Sequence, residues 1–545
     1  MSAIIGREKE IAELKELYNG DKRSNKVKGF FGVIKETLLY PFKKDLVYFL
    51  ILWILIALPN CYSQRNSIGY AVCLAMMYYI MAYVADVVLN LFHWVAKVLK
   101  PIVIVLATLV ATLNLYCYIV YDCLLSNDFI QIIGATNPNE AKEYFDTFIT
   151  WRHIVVLILV LAMSIFIAVM IPKMQKLKLG KSWIIASGML LVSVAVICLK
   201  LGIIKEEFAD KERWNLNFEE VVDLRNHLTH PQLTESDSIH TSHIVIILGE
   251  SFSSNHSSLY GYGKNTNPLL AEQARKGNLF VFKNVKSPCT HTTKAFKYLL
   301  NTYQIGQESE HPWYESTNLI EAMKNAGYYT AWISNQSEKG MFDNIPSGHA
   351  RLCDESFFLE NETDTKRLDG KLIGKASAKT QNKSMVFYHL LGQHINFQER
   401  YPREYDNFKG TDYTTYAEHQ RDVLAYYDNA TLYNDFVVNA IMDLYKEQDA
   451  VVFYFSDHAL DIFDTDPDYF GHARQTEASQ KQGRIIPFIV YVSPLFQELH
   501  SEKVERIKAS VNKPFCTDKF IYAVMDVTGY RFANNDDVQK FSLFN

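Results

Sequence analysis

HIVIILGES, residues 243–251, is the stretch on which the reading of this chain turns. Its apolar, mostly β-branched run from Ile244 to Leu248 is short for a helix and shows no polar face, the pattern of a strand buried on both sides. The run stops at Gly249 and delivers a carboxylate, Glu250, to its end. VVFYFS, residues 451–456, stops in the same manner at Asp457 and His458. Around these two lie further short apolar runs, LFVFKNV (279–285), YYTAWIS (328–334), SMVFYHLL (384–391) and IIPFIVYV (485–492). Helical stretches such as NLIEAMKNAG (318–327) and NATLYNDFVVNAIMDLYKEQ (429–448) separate several of them. Strand and helix in alternation predict an α/β domain over residues 237–545, with a mostly parallel sheet between helices. In such sheets functional groups gather just past the carboxyl ends of the strands.

Upstream the composition changes. The chain has 545 residues, 49% of them hydrophobic, and the long apolar segments all precede residue 205. Five of them, Leu46–Tyr62, Ser67–Leu91, Pro101–Leu125, His153–Ile171 and Ser182–Leu201, approach or exceed the ~20 residues a helix needs to cross a bilayer. Residues 46–205 therefore read as a transmembrane domain of five spans. Lys and Arg crowd residues 1–45 and the joints PKMQKLKLGKS and around Lys97 and Lys100, whereas the joint from Asp122 to Arg152 carries more acid than base. The positive-inside rule then places the N-terminus in the cytoplasm. Five crossings send everything after residue 205 to the other side, the periplasm of a Gram-negative inner membrane. Residues 206–236 bridge the halves and read as an interfacial helix followed by a loop.

The opening, MSAIIGREKEIAELKELYNGDKR, is similar to the start of a family of bacterial ATPases. No phosphate-binding glycine loop follows it, so a charged cytoplasmic helix is expected. A net charge of -5 gives no reason to expect a nucleic-acid partner. Of eight cysteines, only Cys289, Cys353 and Cys516 lie in the exported half, which permits at most one disulfide among them.

Glu250, Asp457 and His458, at the ends of two strands, form a plausible zinc set that needs one further ligand and an open position. Each alone would more often be a helix cap or a surface residue. The turn SPCTHTTK, residues 287–294, feeds a helix expected to begin near Thr292, so hydroxyls stand where a helix N-terminus favours anions. Zinc would lower the pKa of such a hydroxyl and make it a nucleophile. Spacing alone does not separate Thr290, Thr292 and Thr293, any of which serves as an N-cap.

Together, strand-GES, Ser287-x-x-Thr-x-Thr292, His389-x-x-Gly-x-His394 followed by RYP, strand-SDH and the later Gly471-His472 resemble the membrane-bound phosphoethanolamine transferases of lipid A and lipopolysaccharide core. These form part of the sulfatase branch of the alkaline phosphatase superfamily. The resemblance implies zinc ligation by Glu250, Asp457 and His458, at least one zinc ion with a second permitted, and Thr292 as nucleophile and fourth ligand. It implies a covalent phospho-threonine formed from phosphatidylethanolamine, passed on to lipid A or core. It implies catalytic roles for His389, His394 and His472, and substrate contacts from Thr136 and Glu140; Asn335 and Lys339, in WISNQSEKG after another strand, fit a phosphate or head-group contact, the alternative being a simple polar loop. Thr136 and Glu140 also make a good helix start. Two departures stand out: the lipid A enzymes carry several disulfides in the exported domain, and they usually have DHG with a following Glu where this chain has DHALDIFD.

A sulfate-ester hydrolase would need an Arg after Cys289 in a Cys-x-Pro-x-Arg stretch, which is absent. A phosphoglycerol transferase of the lipoteichoic-acid type shares five spans, a Thr nucleophile and a metal site. A catalytically silent membrane scaffold is the alternative of a different class, with the strand ends serving only as caps.

Overall fold

The computed structural model describes residues 32–63, 67–125, 136, 138–174, 182–199, 233–236, 240–307, 311–338, 345–361, 366–376, 382–533 and 537–545. The chain divides into two units. The first comprises residues 1–125 and 150–212, the second residues 126–149 and 213–545. The joint between the third and fourth apolar segments thus groups with the C-terminal half, although sequence had placed it within 46–205.

Among the described residues, the first part of the chain holds, after a helical run over 32–43, the helices α1 (Leu46–Ser63), α2 (Ile68–Leu91), α3 (His93–Tyr121), α4 (Pro138–Phe148), α5 (Trp151–Met174) and α6 (Ser182–Leu199). All but α4 belong to the first unit. Four of them are long and apolar enough to cross a membrane, namely α1, α2, α5 and the Val95–Tyr121 part of α3. The fifth expected span, α6, is shorter, and residues 200–232 lie outside the described residues. Large apolar side chains such as Leu157, Leu159, Ile185 and Leu191 face outward, which suits contact with lipid tails and would be costly in water. Lys100 is paired with Asp45 and, at 2.9 Å, with Asp86, which gives the buried Asp86 carboxylate a counter-charge.

The second unit is built on a seven-stranded sheet. Its strands are β1 (His243–Gly249), β2 (Leu279–Val281), β3 (Tyr329–Ser334), β4 (Glu355–Phe358), β5 (Ser384–His389), β6 (Ala450–Ser456) and β7 (Phe488–Val492). Their spatial order is β2-β7-β6-β1-β5-β3-β4. From β6 to β4 neighbours run parallel, while β7 is antiparallel to both β6 and β2. The sheet is mixed, with four of its six pairings parallel and β7 alone running against the rest, a reversal on which apolar periodicity carries no information. Along β1 the side chains alternate between two cores: Ile244, Ile246 and Leu248 pack in one, Val245 and Ile247 in the other. A strand buried on both faces can end in a charged residue only where the sheet opens.

The loop after Glu250 is fastened from below. The Tyr427 hydroxyl donates to the Ser251 carbonyl at 2.8 Å and accepts from the Ser253 amide at 2.9 Å. Edge-on to the Tyr427 ring sits His256, 3.8 Å from Asp428 and 3.6 Å from Asp464. Burial lowers the affinity of His256 for a proton, but the two carboxylates outweigh it and raise the imidazole from 6.5 to about 9. The stabilisation from this pairing is therefore complete below pH 6.5 and lost as pH rises through about 9, amounting to about 3 kcal/mol. We expect the melting temperature to fall across that window, and His256→Gln to flatten the fall; identical slopes for both proteins would refute the assignment.

Candidate active site

Register places the site. Gly249 pairs with Ser456, and the Asp457 amide donates to the Gly249 carbonyl at 3.0 Å, so Glu250 and Asp457 leave adjacent parallel strands side by side. Both are buried, as is His458. Ligand atoms of the three lie within 4.8 Å of one another. His458 Nε2 is 3.0 Å from Glu250 Oε1 and 3.7 Å from Asp457 Oδ2. Ser251, held at φ 62, donates to Glu250 Oε1 at 2.6 Å, and Ser456 donates to the His458 carbonyl at 2.7 Å.

Thr292 opens the helix α7 (Thr292–Leu299), and its Oγ1 donates to Glu250 Oε2 at 3.0 Å and lies 3.3 Å from His458 Nε2. Ser287 anchors the turn before it by donating to the Asp457 carbonyl. Of the three candidate hydroxyls, Thr292 is the one with hydrogen bonds to this group, whereas Thr290 is buried and lies where its methyl abuts Gly483.

The electrostatics are those of an anionic pair around one imidazole. Burial and the Glu250 charge push the Asp457 carboxyl up to about 8. Burial acts upward on Glu250 as well, but His458 holds it well below the carboxylate range. His458 is raised to about 9 against its burial, by Asp457 and then Glu250. Asp457 Oδ2 has no hydrogen-bond partner. A buried carboxylate oxygen without a donor, facing a second carboxylate and an imidazole, fits a divalent cation of the zinc type.

The remaining expected residues distribute unevenly. His389 ends β5 in the core against Phe296 and Trp332, where burial lowers its imidazole to about 4. His472 follows the small hairpin of Asp461–Ile462 with Phe470–Gly471, its ring tilted against that of His458 with the centroids 4.7 Å apart. Burial and His458 keep it well below the ordinary imidazole value. Asn335 turns inward, donating to Asp369 at 2.7 Å, and Asp369 accepts the amides of Leu391 and Gly392 at 2.8 and 2.9 Å. Its neighbour Gln336, which sequence did not single out, reaches the site instead, donating to Glu250 Oε2 at 3.1 Å. Lys339 lies outside the described residues. Thr136 precedes α4, and Glu140 falls within it.

Gly392 sits at φ 52, and a Cβ there would come 2.7 Å from the Glu250 carbonyl and 2.9 Å from its amide. Gly392→Ala should displace Glu250, destabilising the protein by roughly 2 kcal/mol and weakening metal binding, to be read by thermal melting and zinc titration. Unchanged zinc affinity would show that the turn yields without moving the carboxylate.

The Sulfatase family model matches residues 242–530, and a model described as phosphoethanolamine transferase EptA/EptB matches residues 80–217. The chain is 24% identical over 470 residues to phosphoethanolamine transferase EptC of Escherichia coli strain K12, covering 79% of this chain and 80% of that protein. It is 23% identical to phosphoethanolamine transferase CptA of Salmonella typhimurium, over 78% of this chain and 79% of that protein. Among solved structures, the periplasmic domain of E. coli EptC in complex with Zn shows 25% identity and a TM-score of 0.52, covering 58% of this chain and 90% of that one. The integral membrane protein EptA of Neisseria meningitidis shares the fold at 17% identity, with a TM-score of 0.60 over 91% of this chain and 98% of that one.

Proposed function

The chain belongs to the sulfatase family, whose model takes more than half of its length, and from that premise we propose that it is a membrane-bound phosphoethanolamine transferase. It takes the group from phosphatidylethanolamine and passes it to lipid A or lipopolysaccharide core. The observation that carries the reading is the Thr292 hydroxyl, hydrogen-bonded to Glu250 and beside His458 at the head of α7. Glu250, Asp457 and His458 would hold zinc, with Thr292 beside it. When bound, the ion supplies positive charge that acidifies the hydroxyl and offsets phosphoryl charge.

The protein's own part is positional. Glu250 Oε2, which accepts the Thr292 hydrogen bond, orients the hydroxyl, and His394 would take up its proton as the oxygen attacks phosphorus. The bond to diacylglycerol breaks and phosphoethanolamine stays on Thr292. His394, close to Glu250, would then give that proton to the leaving oxygen, while His472, kept neutral by burial and His458, lines the site beside it. The acceptor oxygen then attacks the phospho-threonine and restores Thr292. Two half-reactions through one covalent intermediate make the kinetics ping-pong.

Topology agrees with residues 233–545 lying outside the cytoplasm. The helix α4 follows three apolar helices, yet packs in one unit with residues that follow α6. A shared side of the membrane for both needs two crossings between them, so α6 serves as the fifth span despite its length. The lysine distribution sets the N-terminus inside.

Incubation with phosphatidylethanolamine and zinc should add one phosphoethanolamine mass increment to the intact protein, on the peptide containing Thr292. A phosphoglycerol increment from phosphatidylglycerol, or no increment, would overturn the reading.

A further inference from the structure

The segment joining α3 to α5 reaches the catalytic face by two contacts, both within the second unit. Glu143, on α4, sets one carboxylate oxygen against the guanidinium of Arg400 and the other 3.7 Å from Nδ1 of His394. Five residues on, the ring of Phe148 stacks on Phe470 at 5.1 Å, and Phe470 lies two residues before His472. One helix thus touches the elements that carry both histidines flanking the metal-ligand group.

The turn bearing His394 is itself bound tightly to Glu250. The Gln393 amide donates to the Glu250 carbonyl at 3.0 Å, and Gly392 leaves no room for a side chain against Glu250. His394 is close enough that its charge acts on both Glu250 and His472. Its backbone place is therefore set by Glu250, while its ring faces a carboxylate from a different part of the chain. Arg400, only 4% exposed, needs a counter-charge to remain buried, and Glu143 provides it. Burial acts upward on the Glu143 carboxyl, but His394 and Arg400 hold it below its ordinary value, so an anion faces the ring.

We propose that Glu143 is a positioning residue for the transfer reaction, orienting the His394 ring so that the inter-span helix α4 completes the active site. This rests on the phosphoethanolamine-transferase reading above. A carboxylate 3.7 Å from one ring nitrogen favours a proton on that side and leaves the opposite nitrogen for the substrate. Glu143 touches no reacting atom; its action passes through His394.

The test is a double-mutant cycle on the full-length protein in detergent, with phosphatidylethanolamine as donor. Glu143→Gln is expected to lower kcat about tenfold with little change in donor KM, and Glu143→Asp, which keeps the charge, to recover part of the loss. On a His394→Ala background, Glu143→Gln should cost nothing further, because the residue it acts through is gone. A structural role through Arg400 alone would lower the melting temperature and multiply with the His394 loss, and that outcome overturns the proposal, as does an unchanged kcat in Glu143→Gln. Should wild-type protein form no phosphoethanolamine adduct on Thr292, the functional reading itself fails; an intact adduct with multiplicative losses defeats Glu143 alone.

Discussion

Thr292→Ala is expected to reduce transfer by roughly 10³-fold or more while leaving the fold and the metal-binding group in place. The substitution removes the single atom that donates to Glu250 at 3.0 Å and lies 3.3 Å from His458. It exposes little else, since Thr292 is partly exposed at the first position of α7 and Ala is a strong helix former. Thr290 is buried against Gly483, and Ser251 is engaged with the other Glu250 oxygen, so neither takes its place. Thr292→Ser, which keeps the oxygen and loses only the methyl that restricts its rotamer, should retain measurable transfer. Turnover of a fluorescent phosphatidylethanolamine checks both. Activity within tenfold of wild type in Thr292→Ala would show that the covalent step does not use this residue, whatever the metal does.

What was legible in the sequence, and what was not, follows from where the information resides. Glu250 and Asp457 could be found because a doubly buried strand is an unbroken apolar run, and its end is visible as the first charge. Such runs marked six of the seven sheet strands; β4, with its half-exposed ESFF pattern, carries no such signal. Strand direction was not legible, because β7 lies as deeply buried as β1 yet runs the other way. Spacing alone left three hydroxyls open; the contacts that single out Thr292 are those to Glu250 and His458, with its turn held by Ser287 to the Asp457 carbonyl across 170 positions, and no local pattern encodes them. Gln336 was missed for the opposite reason: Asn335 looked like the polar residue at the end of β3, but the peptide turns there and exchanges the two side chains. That α4 packs with the C-terminal unit was hidden behind the apolar helices on either side, and its clue was chemical, a Glu143 on a helix whose span-like neighbours carry few acids.

Asp457→Asn should separate metal binding from folding more cleanly than any change at Glu250. In the metal-free protein burial and Glu250 push the Asp457 carboxyl up to about 8, so at neutral pH it is largely protonated and an amide of the same shape replaces it at little cost. Its Oδ2 has no hydrogen-bond partner to lose. Zinc, however, requires the anion and expels the proton on binding. Wild-type protein should therefore gain about 2.7 kcal/mol when zinc reaches a hundredfold excess over its dissociation constant, with affinity rising as pH rises toward 8 and the Asp457 proton is more easily lost. Asp457→Asn should lose that stabilisation, its pH dependence and roughly 10³-fold of the activity. Paired melts in chelator and in zinc measure all of this except turnover. An undiminished rise with zinc in the variant would remove Asp457 from the ligand set, and with it the explanation of why two buried carboxylates are kept side by side at the ends of β1 and β6.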